Sequence, residues 1–158
     1  MKILLPAISL LLFALINCKE TNAQSKEDIF GYFKNRVEEF CINDESTLYL
    51  NGCQMKYTYY RTLSGNVPWT QEYSFSLKDV VDVFFVYLNN SVIITIRLKD
   101  DAMIITDIAR GGRRDFVNFH NSLKWVFHEG TLSQSDGKKM SELFKKLAKS
   151  CGAKIIEL

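Results

Sequence analysis

The densest polar cluster in the chain is Arg110-Gly111-Gly112-Arg113-Arg114. Paired glycines free the backbone, and exposed N–H groups together with guanidinium forks can clasp a carboxylate or phosphate. Arg110, Arg113 and Arg114 are therefore the candidate anion-binding residues. The competing reading is a solvated loop after a strand, partly neutralised by Asp115. Trp69 follows Pro68 at a loop edge and is the candidate exposed contact residue.

Other chemistries find little purchase. No Gly-x-Ser-x-Gly elbow occurs, and Cys41, Cys53 and Cys151 fall on predicted core faces, where a thiol is inert. His120 and His128 do not form the His-Glu-x-x-His pattern of a zinc protease. The pairs Glu38-Glu39, Asp44-Glu45 and Asp100-Asp101 fall on solvated helix faces or turns. Asp82 differs because it interrupts the apolar run VVDVFF, which marks it as an edge or pairing residue or a perturbed acid. No catalytic residue, metal ligand or cofactor is therefore expected.

Compartment is read from the first residues. Lys2 precedes the almost wholly apolar stretch 3–16, too short for a membrane span and suited to a secretory leader. Ala23-Gln24 offers a cleavage site, giving a signal peptide over 1–23 and a single globular domain over 24–158. Cys18 after Leu15-Ile16-Asn17 resembles a lipidation site, with Asn17 departing from the small residue usual there. The expected localisation is periplasmic or secreted, with a membrane-anchored lipoprotein as the alternative. Membrane contact is expected only if Cys18 is lipidated.

Such a compartment lets disulfides persist. Of four cysteines, three remain beyond the leader. Cys53 and Cys151 are both predicted to point into one interior, which favours that pair. Cys41–Cys53 is the next candidate, and three buried thiols the remaining reading. Charge is nearly balanced, with 20 basic and 18 acidic residues in the full chain, so nothing suggests nucleic acid.

These residues need elements to position them. Ser25 and Asp28 form a capping pattern ahead of Ile29, Phe30, Phe33, Val37 and Phe40, which predicts a helix over 25–42. About six or seven strands follow. SVIITIRL alternates, with Thr95 and Arg97 outward, and the segments 80–88, 91–98 and 102–108 read as an antiparallel meander. The stretch 116–129 is read as a loop or short strand followed by a strand near 123–128. From about Asp136, Met140, Leu143, Phe144, Leu147, Ala148 and Cys151 form one apolar stripe of a helix, which Gly152 ends.

The fold class is α+β: an N-terminal helix, a curled antiparallel sheet or small barrel, and a C-terminal amphipathic helix. Over 48–153 this order resembles the pleckstrin-homology-like small barrel. The leader and body together also resemble small exported proteins of bacterial envelopes. The expected function is a non-catalytic binding or interaction module for a protein or small ligand. The alternative is a carrier of a small apolar or anionic ligand inside an open barrel.

Overall fold

Ser25 starts the first helix, α1 (Lys26–Phe40), through a reciprocal capping box. Its hydroxyl accepts from the Asp28 amide at 3.0 Å, and the Asp28 carboxylate accepts from the Ser25 amide at 3.2 Å. The computed structural model describes residues 24–42, 45–63, 67–109 and 114–156, with backbone alone for 61–63, 67–69, 107–109 and 114–117. The leader with Cys18, and the loop residues Arg110 and Arg113, lie outside the described residues.

Eight strands follow: β1 (Thr47–Asn51), β2 (Gln54–Leu63), β3 (Val67–Ser76), β4 (Val80–Leu88), β5 (Ser91–Leu98), β6 (Met103–Ala109), β7 (Arg114–His120) and β8 (Ser122–Val126). Helix α2 (Gln134–Ser150) comes last. The chain is α+β with all paired strands antiparallel. The strands form two sheets, β1-β2-β3-β6-β7 and β4-β5-β8, and among the described residues no closed barrel forms.

Several expectations are corrected. The strands number eight rather than six or seven. β4 and β5 pair, but β6 leaves them for β3 and β7, so there is no three-strand meander. Alternation reveals which face of a strand is apolar but not its neighbour. Met103 and Ile105 find their apolar partners opposite Phe75 and Tyr73 of β3. A corner makes this possible: Asp101 adopts φ +56, and the Lys99 amide donates to the Asp79 carbonyl at 2.9 Å. The stretch 116–129 divides in the same way, β7 joining the large sheet and β8 the small one. Thr95 stands on the outer face yet is buried beneath its neighbours. Cys53 belongs to the β1–β2 turn rather than a strand, with Gly52 at φ +60 making the reversal.

The core lies between the two sheets and the helices. Phe33 of α1, Phe144 of α2 and Trp125 of β8 meet with ring centres 5.3–6.3 Å apart, and Tyr57 of β2 stands 6.0 Å from Trp125. One aromatic knot therefore ties both helices to both sheets. Gly137 lets α2 lie close to the small sheet. A Cβ there would come within 2.8 Å of the Phe85 ring and 3.0 Å of Val92. After α1, Cys41 bridges to Phe127 and extends the small sheet beyond β8. The first turn of α2 repeats the capping box, with Ser133 and Asp136. Gly152, at φ +89, follows the C-cap Cys151.

Cys53 and Cys151 are joined by a disulfide, with Cα atoms 5.7 Å apart. The bond fastens the β1–β2 turn to the end of α2. Cys41 is a buried free thiol whose sulfur lies 3.6 Å from the Tyr57 hydroxyl.

Candidate functional site

Register draws sequence-distant polar and aromatic residues to one end of the large sheet. Row by row, Tyr57 pairs with Tyr73 and Tyr73 with Ile105; then Tyr59 with Gln71 and Gln71 with Asp107; then Arg61 with Trp69 and Trp69 with Ala109. The first row belongs to the core, where Tyr57 is buried. The second lies at its margin, with Tyr59 and Gln71 half-buried, as is Tyr73 of the first row.

The described side chains at that margin make a defined polar group. Tyr59 and Tyr73 stack, with ring centres 5.9 Å apart and planes 20° apart. Both hydroxyls donate to the same oxygen, Gln71 Oε1, at 2.5 and 2.6 Å. Two phenols on one acceptor fix the carboxamide in a single orientation. Tyr57 continues the aromatic series, 5.8 Å from Tyr59 and 5.9 Å from Tyr73. The result is a rigid aromatic surface bearing a planar amide, suited to binding a polar ligand or partner by stacking and hydrogen bonding.

The sequence-derived candidates stand as follows. Trp69 lies in β3 opposite Arg61, in the row beyond Gln71. Arg114 begins β7 opposite Ile108, next to a bulge in the β6–β7 pairing. For these residues the position is set by the backbone alone. The register thus brings Trp69 and Arg114 to the same end of one sheet, although they lie 45 positions apart in the chain. Arg110 and Arg113 lie outside the described residues, in the connection from β6 to β7. The Tyr59–Gln71–Tyr73 group was not among the candidates. Its only trace in the sequence is the alternation of aromatic and polar residues in two strands, and convergence depends on how those strands align.

The remaining candidates are structural or exposed. Asp82 is buried on the outer face of β4 and forms an ion pair with Arg97 at 3.5 Å, as a pairing residue would. His120 and His128 are exposed. Among the described residues, no three His, Cys, Asp or Glu side chains gather as a metal site would require. Two open depressions lie elsewhere. One, of about 610 Å³, is lined by Tyr49, Asn51, Gln54, Met55, Lys56 and Ser74 near the β1–β2 turn. The other, of about 580 Å³, lies between the β4–β5 turn and the start of α2. Comparison with protein-family models, with curated proteins and with solved structures finds no match.

Proposed function

We propose that the protein is a non-catalytic binding module of the bacterial envelope, and that its binding surface is the aromatic end of the large sheet. The observation that carries this reading is the stacked Tyr59–Tyr73 pair converging on Gln71 at the margin of the core. Ordered aromatics with a fixed amide give contact area and hydrogen-bonding specificity at little conformational cost. Placement of Trp69 and Arg114 at the same end supports it, because aromatics and arginine are the residues most often central to binding. The rings of Phe33, Tyr57, Trp125 and Phe144 occupy the centre of the molecule, which favours a surface site over an enclosed carrier cavity. The likeness in element order to the pleckstrin-homology-like barrel points the same way, toward a scaffold that binds rather than one that catalyses.

Export is part of the proposal. It is supported by the apolar leader and by the disulfide. Intact-mass measurement of protein from its native host should give a chain starting at Gln24; a lipid-modified start at Cys18 would replace soluble export with anchoring.

The deciding experiment compares wild type with a Tyr59→Phe/Gln71→Ala variant against a panel of envelope saccharides, anionic small molecules and envelope proteins. The variant should fold with an unchanged far-UV spectrum and lose a binding event that wild type shows. Equal binding by both would move the site away from this end. Turnover of the bound ligand would refute the non-catalytic reading.

A further inference from the structure

Away from the sheet end, the junction of the two helices gathers two cations around one phenol. Tyr32 of α1 is half-buried and packs edge-on against Phe33, with ring centres 5.9 Å apart. Arg36, one turn later, holds its guanidinium carbon 5.5 Å from the centre of the Tyr32 ring and 5.5 Å from that of Phe40. Lys139 of α2 brings its ammonium within 5.1 Å of the same Tyr32 ring. Among the described residues, neither cation lies within ion-pair distance of a carboxylate, whereas Lys34, Lys56, Arg97, Lys99 and Lys145 do.

The Tyr32 hydroxyl oxygen is itself buried, and its proton has no acceptor. Burial pushes this phenol above its ordinary value; Arg36 opposes the rise through its charge and through hydrogen bonding to the phenol oxygen, and Asp136 adds to it. The phenol therefore stays protonated at neutral pH and offers a donor without an acceptor. Asp136 caps α2, its Oδ2 accepting from the amide and hydroxyl of Ser133 at 2.9 and 2.6 Å, and it makes no hydrogen bond to the phenol. A buried donor left unmatched is costly, and the two cations beside it outnumber the one nearby carboxylate, Asp136, so the missing group is an anion.

We propose that Arg36, Lys139 and the Tyr32 hydroxyl form a phosphate-binding site between α1 and α2. A guanidinium supplies a planar fork, an ammonium a point charge, and the phenol a further directed donor. Three donor groups from two helices match the several oxygens of a tetrahedral phosphate better than the two of a carboxylate. The group is either free inorganic phosphate or the headgroup of an anionic lipid, and both present the same oxygens. Asp136 lowers the net charge of the site to about that of a single cation, so binding depends on the directed donors as well as on attraction.

The test titrates the full chain with inorganic phosphate and, separately, sediments it with phosphatidylglycerol or phosphatidylcholine vesicles. Two variants run alongside, Arg36→Gln/Lys139→Gln and Tyr32→Phe. Phosphate should raise the Tm of wild type and shift the amide resonances of 32, 36 and 139. The double variant should lose at least about tenfold in affinity, the loss expected from charge-assisted hydrogen bonds. Tyr32→Phe keeps the ring and its cation contacts but removes the orphan hydroxyl. It should melt above wild type without phosphate and gain less when phosphate is added. A response to inorganic phosphate assigns the free ion. Binding to phosphatidylglycerol vesicles but not phosphatidylcholine, lost in the double variant and without response to the free ion, assigns a headgroup. If wild type responds to neither, or if a folded double variant responds as wild type does, the proposal falls. If the double variant does not fold, an unchanged phosphate response in Tyr32→Phe overturns it.

Discussion

Gly137 shows how a single residue can oppose its own local preference. In an exposed helix, replacing glycine by alanine gains about 1 kcal/mol. Here the added methyl would enter the space of the Phe85 ring and Val92. Overpacking of this kind costs about 1–3 kcal/mol, so the balance falls on the unfavourable side. Gly137→Ala should therefore lower the urea midpoint of unfolding, and a raised midpoint would show that Phe85 yields freely. Nothing in the sequence marks this glycine as a contact, since the clash arises only when α2 docks on the small sheet. The same holds at the candidate sites. Tyr59 meets Gln71 and Tyr73 only through strand register, and Lys139 meets Tyr32 and Arg36 only through helix docking, so neither group is complete in any local spacing. Asp82 was legible because a charge inside an apolar run must find a partner, and Arg97 lies directly opposite it.

Local signals explain the two helices well, because each cap is written within four residues. Ser133→Ala removes the acceptor for the Asp136 amide, at 3.2 Å, and should destabilise the fold by about 1 kcal/mol. The reciprocal half adds a pH dependence. Hydrogen bonds from the Ser133 side chain and backbone hold the Asp136 carboxyl below its ordinary value in the folded state. Its contribution is thus fully present above the unfolded value of about 3.9 and is lost as pH falls through the lower folded value. Asp136→Ala should lower Tm at neutral pH, and the difference from wild type should shrink below about pH 4; a constant difference down to strong acid would contradict this. Strands behave differently. Their number and faces were largely readable from alternation, yet the division into two sheets was not, because β6 chooses β3 over β5 through long-range apolar matching. Edge protection is equally nonlocal. The Leu48 amide of β1 donates to Glu38 of α1 at 2.9 Å, and Lys34 of α1 donates to the Leu48 carbonyl at 3.4 Å. An edge strand is thus occupied by side chains from a helix that precedes it.

At the scale of the molecule, the disulfide joins positions 98 residues apart. Closing so long a loop in the unfolded chain is worth about 4–5 kcal/mol in the chain-entropy model. Denaturant unfolding with and without reductant should differ by a value of that order, and equal midpoints would show that the reduced chain loses nothing. The bond has a second effect, which concerns how the protein bears tension. It turns the stretch from Cys53 to Cys151 into a covalent ring containing β2 to β8 and α2, while α1 and β1 lie outside. Pulled by its two ends, the protein would carry load along α1 and β1 to Cys53, across the sulfur atoms to Cys151 and out. Neither the seven strands inside the ring nor the last helix lies on that path. In single-molecule extension the oxidised protein should therefore lengthen only by its first helix and strand, and the reduced protein should release the 98-residue loop as well. A force that strips α1 from the core would leave the polypeptide of the large sheet's aromatic end off the line of tension.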